Sequence, residues 1–582
     1  MILDRVNMPK DIKTLSIAEL KVLATEMREL IIKKVNTIGG HMAPNLGIVE
    51  ATIALHYVFD SPKDKIIFDV SHQCYPHKIL TGRKEGFLNP ENYLKYTGYT
   101  APEESEHDIF KVGHTSTSIS LATGVAKARD LKDEKGNVIA LIGDGSLSGG
   151  EAYEGLNNAA VLDSNMIILV NDNDMSIAIN QGGLYSNLKE LRETKGTSSN
   201  NFFKTLGFDY IYVENGNDVE KLIETFEKVK DIDHPIVIHM QTLKGCGLLQ
   251  AEQNKEKFHW VCPGILDEQS AVPCSVETYD SITTDFILEK AKVDKSVLAI
   301  TPATPGATGF TQEFRSALGK QFTDVGIAEE HAIAYASAMA KCGAKPILAI
   351  LSSFVQRTYD QLSQDLCLNN SPMTMLLYWG AISGADCTHL GCFDIPLISN
   401  IPNMVYLAPT CKEEYLAMLE YAMTQTQHPL AIRVPFGPVV SSGKKDDTDY
   451  SQLNKFKVEE SGEKVAILGL GNFFKLAKEV KTELKAKLDI DATLINPKFI
   501  TGLDEELLEN LKENHSVIIT LEDGVLDGGF GEKVARFYGN SDMKVLNYGA
   551  TKDFTDRVPL DVLYERYRLK KELVAADVDK LL

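Results

Sequence analysis

Two apolar runs that end in acidic and amide residues constrain this chain more than any other feature. Val138 to Ile142 runs into Gly143-Asp144-Gly145, and Met166 to Val170 runs into Asn171-Asp172-Asn173. Between them Ala152, Leu156, Ala159 and Ala160 fall at helical spacing, which predicts a strand, an amphipathic helix and a second strand. A right-handed crossover makes two such strands parallel and brings both C-terminal ends to one edge of a sheet. Asp144 and Asn173 can therefore meet. One carboxylate and one amide oxygen, with a nearby backbone carbonyl such as that of Met175, form half of an octahedral oxygen shell. Mg²⁺ takes such a shell and completes it with water and phosphate oxygens. The glycines let the backbone approach those phosphates, and the start of the following helix adds a favourable dipole. Gly-Asp-Gly alone is a common loop string; the amide at the matching strand end is what points to a Mg²⁺-bridged diphosphate site.

A chain of 582 residues is too long for one core and suggests three or four domains. Its net charge of −21, with no long Lys/Arg cluster, argues against nucleic acid. An anionic ligand must then be held locally, by a metal, by helix N-termini or by single basic residues. No apolar run approaches the roughly 18 residues of a membrane span, and the start, "MILDRVNMPKDIKTL", lacks the apolar core of a signal peptide, so a cytoplasmic protein without membrane contact is expected. The nine cysteines contain no Cys-x-x-Cys pair and read as reduced small hydrophobes, with neither a disulfide framework nor a zinc site.

From about Thr14 to Met240 helical and strand-like segments alternate, the latter including "KIIFDVSHQ", "VIALIGDG", "MIILVNDN" and "PIVIHMQT". A polar stretch follows from Gln250 to about Thr278. A second alternating block contains "VLAITPA", "PILAILSS", "MTMLLYWG" and "LAIRVPFG"; Ser441 to Lys455 reads as a linker. The last block has "KVAILGLGN", "DATLINPKFI" and "SVIITLED" as strands. The pattern predicts an α/β chain of three domains with mainly parallel sheets, divided as 1–276, 277–455 and 456–582. "GLGN" lacks a third glycine at the dinucleotide spacing and is set aside.

Histidines recur beside small residues in loops or at strand ends: His41, His72, His77, His114, His259, His331 and His389. One such histidine is usually a structural hydrogen bonder. Six regions carrying them point to proton donors and anion contacts around one pocket, while their spacing does not suit a metal cage. In "FTDVGIAEEHAIAYASAMA", Glu329 and Glu330 follow a strand and open an alanine-rich helix, so at least one carboxylate faces a sheet edge where ligands bind in open α/β folds. A helix-start acid stabilised by the dipole is the plain alternative.

These segments carry a family resemblance. The GDG and NDN strings look like the thiamine-diphosphate and Mg²⁺ motif of transketolase-type enzymes. "HMAPNLGIVEATIALHYVFD", "DVSHQCYPHKILTGR", "VGHTSTSIS", "NDNDMSI", "DVGIAEEHA", "SSFVQRTYDQ" and "GADCTHLGCFDI" together resemble the 1-deoxy-D-xylulose-5-phosphate synthase family, nearly end to end. The resemblance implies a transketolase-like fold and a transferase acting on pyruvate and an aldehyde, D-glyceraldehyde 3-phosphate, for isoprenoid and thiamine precursor synthesis. It implies thiamine diphosphate held through His72, Gly113, His114, Thr115, Asp144, Gly145, Ser146 and Asn173. Glu329 would hydrogen-bond the aminopyrimidine ring and promote loss of the thiazolium C2 proton, with Phe354 stacked on the ring. His41, His259, His389, Asp386 and Arg357 would line the substrate pocket as proton donors and anion contacts. The family is a homodimer.

The match also fails in places. The family reads Asp-Arg-Ala-Gly where this chain has Tyr378-Trp379-Gly380-Ala381, and Arg-Tyr-Pro-Arg-Gly where it has Arg433-Val434-Pro435-Phe436-Gly437. Two arginines associated with the acceptor's phosphate are thus Trp379 and Phe436, and a pocket tyrosine is Leu351. The segment between Met175 and Phe203 is shorter than the family's. Three readings follow: a synthase whose phosphate site is rearranged, with Arg433 or a lysine taking over; a related carboligase with a different, unphosphorylated aldehyde; or a cofactor-binding partner without turnover, against which the retained proton donors argue.

Overall fold

The computed structural model describes residues 1–267 and 276–582; part of the polar stretch after Gln250, Cys274 included, lies outside the described residues. The chain forms two compact units, Met1–Cys274 with Gly326–Ala328, and Ser275–Val325 with Glu329–Leu582. The first holds a five-stranded parallel sheet, ordered β1-β2-β3-β5-β4. Its strands are β1 Lys65–Phe68, β2 Val138–Gly143, β3 Met166–Asp172, β4 Asp209–Val213 and β5 Pro235–Gln241.

The central strands are apolar throughout because helices cover both faces. Ile139, Leu141, Ile167 and Leu169 pack on one face with Leu20 and Leu23 of the helix Ile17–Ile38 and Leu222 and Phe226 of Val219–Val229. Ala140, Ile142, Ile168 and Val170 pack on the other with Ile119 and Ala122 of Ser118–Leu131 and Leu188 and Leu191 of Gly183–Glu193. The helix Gly150–Ala159 joins β2 to β3, and Ala152, Leu156 and Ala159 are its buried face. Gly143 pairs with Asn171 in the parallel register, so Asp144 and Asn173 leave the sheet at the same edge, as expected.

The second unit contains two sheets. One, ordered β10-β11-β9-β8-β6-β7, comprises β6 Val297–Thr301, β7 Phe322–Asp324, β8 Lys345–Leu351, β9 Thr374–Tyr378, β10 Val405–Leu407 and β11 Leu430–Arg433, all parallel. The other, ordered β12-β14-β13-β15-β16, comprises β12 Lys457–Glu460, β13 Lys464–Gly469, β14 Thr493–Asn496, β15 His515–Val525 and β16 Lys544–Ala550, parallel apart from β12. Ile350 and Met375 of the one share a core with Leu468 and Ile518 of the other. The α/β class with three mainly parallel sheets stands. Among the described residues no helix is long and apolar enough to cross a membrane, and no cysteine is in a disulfide.

Candidate active site

In the first unit, the ends of β2 and β3 build a cluster of polar side chains. Asp144 is buried, and its Oδ2 accepts from the Met175 backbone N–H at 3.1 Å and from Asn180 Nδ2 at 2.6 Å. Burial, and then the charge of Asp172, push its carboxyl above the usual range. Asn173 Oδ1 is buried with no hydrogen-bond partner, while the Asn173 carbonyl accepts from Lys255 Nζ at 3.1 Å. A buried carboxylate driven toward neutrality and a buried orphan amide oxygen are both groups that a divalent cation would compensate. The donor set therefore fits Mg²⁺. Met175 turns its N–H toward Asp144, a contact that the sequence-based choice of its carbonyl did not foresee. A Cβ on Gly145 would lie 2.8 Å from Ser176 Cβ, so only glycine allows this close approach.

The segment after β3 is fastened onto this edge. Tyr185 of the helix Gly183–Glu193 donates its hydroxyl to the carbonyls of Asp144 and Gly145 at 3.2 and 3.1 Å. Arg192, from the same helix, bonds both carboxylate oxygens of Asp172 at 2.8 and 2.7 Å, and His239 Nε2 meets Asp172 Oδ2 at 2.7 Å. Burial alone would raise the Asp172 carboxyl; the His239 and Arg192 contacts outweigh it and hold the group below the usual range.

The rings of His41, His72 and His259 cluster at centroid distances of 4.9, 5.4 and 5.6 Å. Asn45 Nδ2 donates to the carbonyls of His41 at 2.9 Å and His72 at 2.8 Å, tying two distant motifs together. Lys244 Nζ reaches the Ser176 carbonyl at 2.6 Å and His259 Nδ1 at 3.1 Å. The loop bearing Gly113, His114 and Thr115 is pinned by Asp69, which accepts from the N–H groups of Ser116 at 2.9 Å and Ser118 at 3.0 Å; Ser116 Oγ donates to the Ser146 carbonyl at 2.8 Å. Two of the expected histidines lie elsewhere. His77 is buried between His56 and Asp108, 2.8 Å from each, and serves the core. His331 is exposed on its helix, stacked on Tyr335.

In the second unit, Glu329 opens the helix Glu329–Lys341 and is only 4% exposed, whereas Glu330 is half-buried. Glu329 Oε2 has no hydrogen-bond partner and lies 3.7 Å from Arg357 Nη1. Burial pushes its carboxyl up to about 7, against the pull of Arg357. The Phe354 ring meets the His389 ring edge-on at 5.7 Å. Thr388 Oγ1 donates to Asp386 Oδ1 at 2.9 Å and lies 2.8 Å from His389 Nδ1. Its one proton goes to the carboxylate, so it accepts from His389 Nδ1–H and leaves Nε2 as an acceptor.

A stability test follows from the Glu329 value. Ionisation of a carboxyl whose folded pKa is raised weakens the fold: the stability is fully present below the ordinary value and is lost as pH rises through about 7. Glu329→Gln cannot ionise and is expected to stabilise the protein by about 3 kcal/mol at pH 8 and by about 1 kcal/mol at pH 5.5. Urea unfolding at both pH values checks this; an equal difference at the two would refute it.

Trp379 and Phe436 follow β9 and β11, adjacent parallel strands, and each remains 48% exposed at that edge. Trp379 has φ +61°, a left-handed conformation costly for a bulky residue. The expectation that Arg433 could take over a phosphate is not met. It is buried, with Nε and Nη2 on Asp394 at 2.7 and 3.1 Å and Nη2 also on the Asp523 carbonyl at 2.6 Å. Leu351 is buried in the core beside Tyr378, which corrects its placement in the pocket.

Sequence profiles match along most of the chain. One described as 1-deoxy-D-xylulose-5-phosphate synthase covers residues 3–201 and 192–242; the transketolase pyrimidine binding domain covers 278–437, and the transketolase C-terminal domain covers 454–574. The 1-deoxy-D-xylulose-5-phosphate synthase of Clostridium botulinum (strain Alaska E43 / Type E3) is 38% identical over 608 residues, spanning 98% of this chain and 97% of that protein. Those of Clostridium tetani (strain Massachusetts / E88) and Dictyoglomus thermophilum (strain ATCC 35947 / DSM 3960 / H-6-12) are each 38% identical, spanning 100% of this chain and 99% of theirs. The chain belongs to the 1-deoxy-D-xylulose-5-phosphate synthase family.

Proposed function

We propose that this protein joins pyruvate, with loss of CO₂, to D-glyceraldehyde 3-phosphate, giving 1-deoxy-D-xylulose 5-phosphate, with thiamine diphosphate and Mg²⁺ as cofactors. The observation that carries the reading is Glu329: a buried carboxyl with an unpartnered oxygen and a pKa near 7 can share a proton with a bound ring nitrogen at working pH. Asp144, Asn173 and the Met175 backbone would hold the metal, and His72, Gly113, His114, Thr115, Gly145 and Ser146 the diphosphate. Glu329 and Phe354 would hold the pyrimidine ring. Thiamine diphosphate supplies a carbon nucleophile and an electron sink for decarboxylation. His41, His72 and His259 form a cluster suited to donating protons to developing oxyanions, and Arg357 offers a cation beside Glu329. A homodimer in the cytoplasm completes the proposal. The test is CO₂ release from pyruvate: strong stimulation by glyceraldehyde 3-phosphate is expected, and no stimulation by any aldehyde would overturn the reading.

A second reading keeps the chemistry and changes the acceptor. It is favoured by the two exposed aromatics at the ends of β9 and β11, together with the sequestered Arg433. An aromatic side chain gives a phosphate no charged donor, and two lost charge-assisted contacts weaken binding by roughly a hundredfold to ten-thousandfold. On this reading kcat/KM for unphosphorylated glyceraldehyde rivals that for the phosphorylated aldehyde, and Trp379→Arg with Phe436→Arg raises use of the latter. A strong preference of the unaltered protein for glyceraldehyde 3-phosphate would eliminate it.

A further inference from the structure

Lys244 lies three residues past β5, almost fully buried, in the same unit as the cluster of His41, His72 and His259. Its Nζ sits 2.6 Å from the Ser176 carbonyl oxygen and 3.1 Å from His259 Nδ1. We propose that Lys244 is a positioning residue that fixes the tautomer of His259, placing its one imidazole proton on Nε2 and making the ring a proton donor at that atom.

The donors and acceptors present set the direction of the Lys244–His259 hydrogen bond. An ammonium group has three N–H donors and no acceptor. One donor is taken by the carbonyl of Ser176, which can only accept, and this fixes where Nζ lies. A second donor is then directed at His259 Nδ1, which must offer a lone pair. Burial, and after it the neighbouring Lys244, His72 and His41, hold His259 well below the ordinary histidine range, so the ring is neutral and has a single proton. With Nδ1 occupied as an acceptor, that proton belongs to Nε2. Burial also lowers the Lys244 amine to about 7, opposed by the charge of Asp144, with Lys255 and Glu256 as weaker neighbours. The ammonium form, which prevails below about 7, has no lone pair and fixes this direction; a neutral amine carries a lone pair able to accept from Nδ1–H, so the assignment is made for the ammonium form and the NMR is recorded below that value.

The consequence for chemistry rests on the carboligase reading. An imidazole fixed as an Nε2–H donor is prepared to protonate an oxyanion developing nearby, whereas the other tautomer would repel it. The tautomer itself does not depend on that reading and can be observed without turnover.

The experiment is side-chain NMR of the full-length protein, with and without thiamine diphosphate and Mg²⁺, carrying ¹⁵N-labelled histidine. The His259 signals are assigned by their absence in His259→Gln. In the unaltered protein the Nδ1 signal is expected in the unprotonated range and the Nε2 signal in the protonated range. Lys244→Met should shift both toward averaged values, and Lys244→Arg, which keeps donors at that position, should restore them. With pyruvate as substrate, Lys244→Met should lower kcat by about ten- to a hundredfold with little change in KM, and Lys244→Arg should recover part of it. A proton on Nδ1 of the unaltered protein overturns the proposal, whether or not any variant folds. So does an unchanged tautomer in a folded Lys244→Met. If the tautomer follows Lys244 while no variant nor the unaltered protein consumes pyruvate, the tautomer assignment stands and the carboligase reading fails.

Discussion

Glu329→Ala is expected to bind thiamine diphosphate within about threefold of the unaltered affinity and to lose roughly 10²- to 10⁴-fold in kcat, the range that a positioned acid–base group contributes. Loss of thiazolium C2 proton exchange, followed by NMR, should match the loss in kcat. The two effects separate because the proposed metal and diphosphate contacts come from other residues, in the loops after β1, β2 and β3 and before the helix Ser118–Leu131. Glu330 provides the internal control. It adjoins Glu329 in sequence but is half-buried, and Glu330→Ala should alter exchange by less than about twofold. Normal exchange in Glu329→Ala with abolished exchange in Glu330→Ala would show that the wrong carboxyl has been chosen.

Asp144→Ala should remove Mg²⁺-dependent cofactor binding, weakening it by more than about a hundredfold, beyond what loss of an outer supporting contact produces. The buried carboxylate is the one anionic member of the proposed set with Asn173 and Met175, and its loss leaves the Met175 N–H and the Asn180 amide without their acceptor. Asp144→Asn separates charge from shape: it keeps a side chain of the same size, and its affinity should fall nearly as far. Calorimetric titration of thiamine diphosphate with and without Mg²⁺ measures both. Unchanged, metal-dependent affinity in Asp144→Ala would place the metal elsewhere.

Much of this fold was legible because the signals are strong where burial is two-sided. The apolar runs of β2 and β3 are covered by helices on both faces, so they stand out as continuous hydrophobic segments. The strands not read from sequence, β4, β10, β12 and β16, all lie at sheet edges, as does β7, which was read only as the strand ahead of Glu329. β7 and β10 are only three residues long, and β12 is exposed throughout. A very short strand, or one with an exposed face, gives no long apolar run to read. The same contrast governs the site. Asp144, Asn173 and Glu329 were singled out from sequence as candidates because each stands at the end of an apolar run or opens an apolar helix. Lys244, Asn180 and Asp69 were not, because their roles arise from folding distant loops together. "TLKGCG" just past β5 was the one available hint for Lys244, since β5 ends on the same sheet edge as β3. His77 misled for the opposite reason: its motif has the composition of a ligand loop, yet its partners are His56 and Asp108 in the core.

The departures at Trp379 and Phe436 were visible in sequence, but the fate of Arg433 was not. A buried guanidinium shared by Asp394 and the Asp523 carbonyl cannot leave for a phosphate without stranding a buried carboxylate, a loss that costs several kcal/mol. The structure thereby removes the simplest rescue of the phosphate site and makes the acceptor the sharpest question about this protein.

The most direct measurement is ¹³C NMR of the product formed from [2-¹³C]pyruvate and D-glyceraldehyde 3-phosphate, with CO₂ counted in the same reaction. The expected result is 1-deoxy-D-xylulose 5-phosphate labelled at its carbonyl carbon, one CO₂ per product, and no product when thiamine diphosphate or Mg²⁺ is withheld. CO₂ release with the label appearing only in acetaldehyde or acetoin, or no consumption of pyruvate by folded, cofactor-loaded protein, would contradict it.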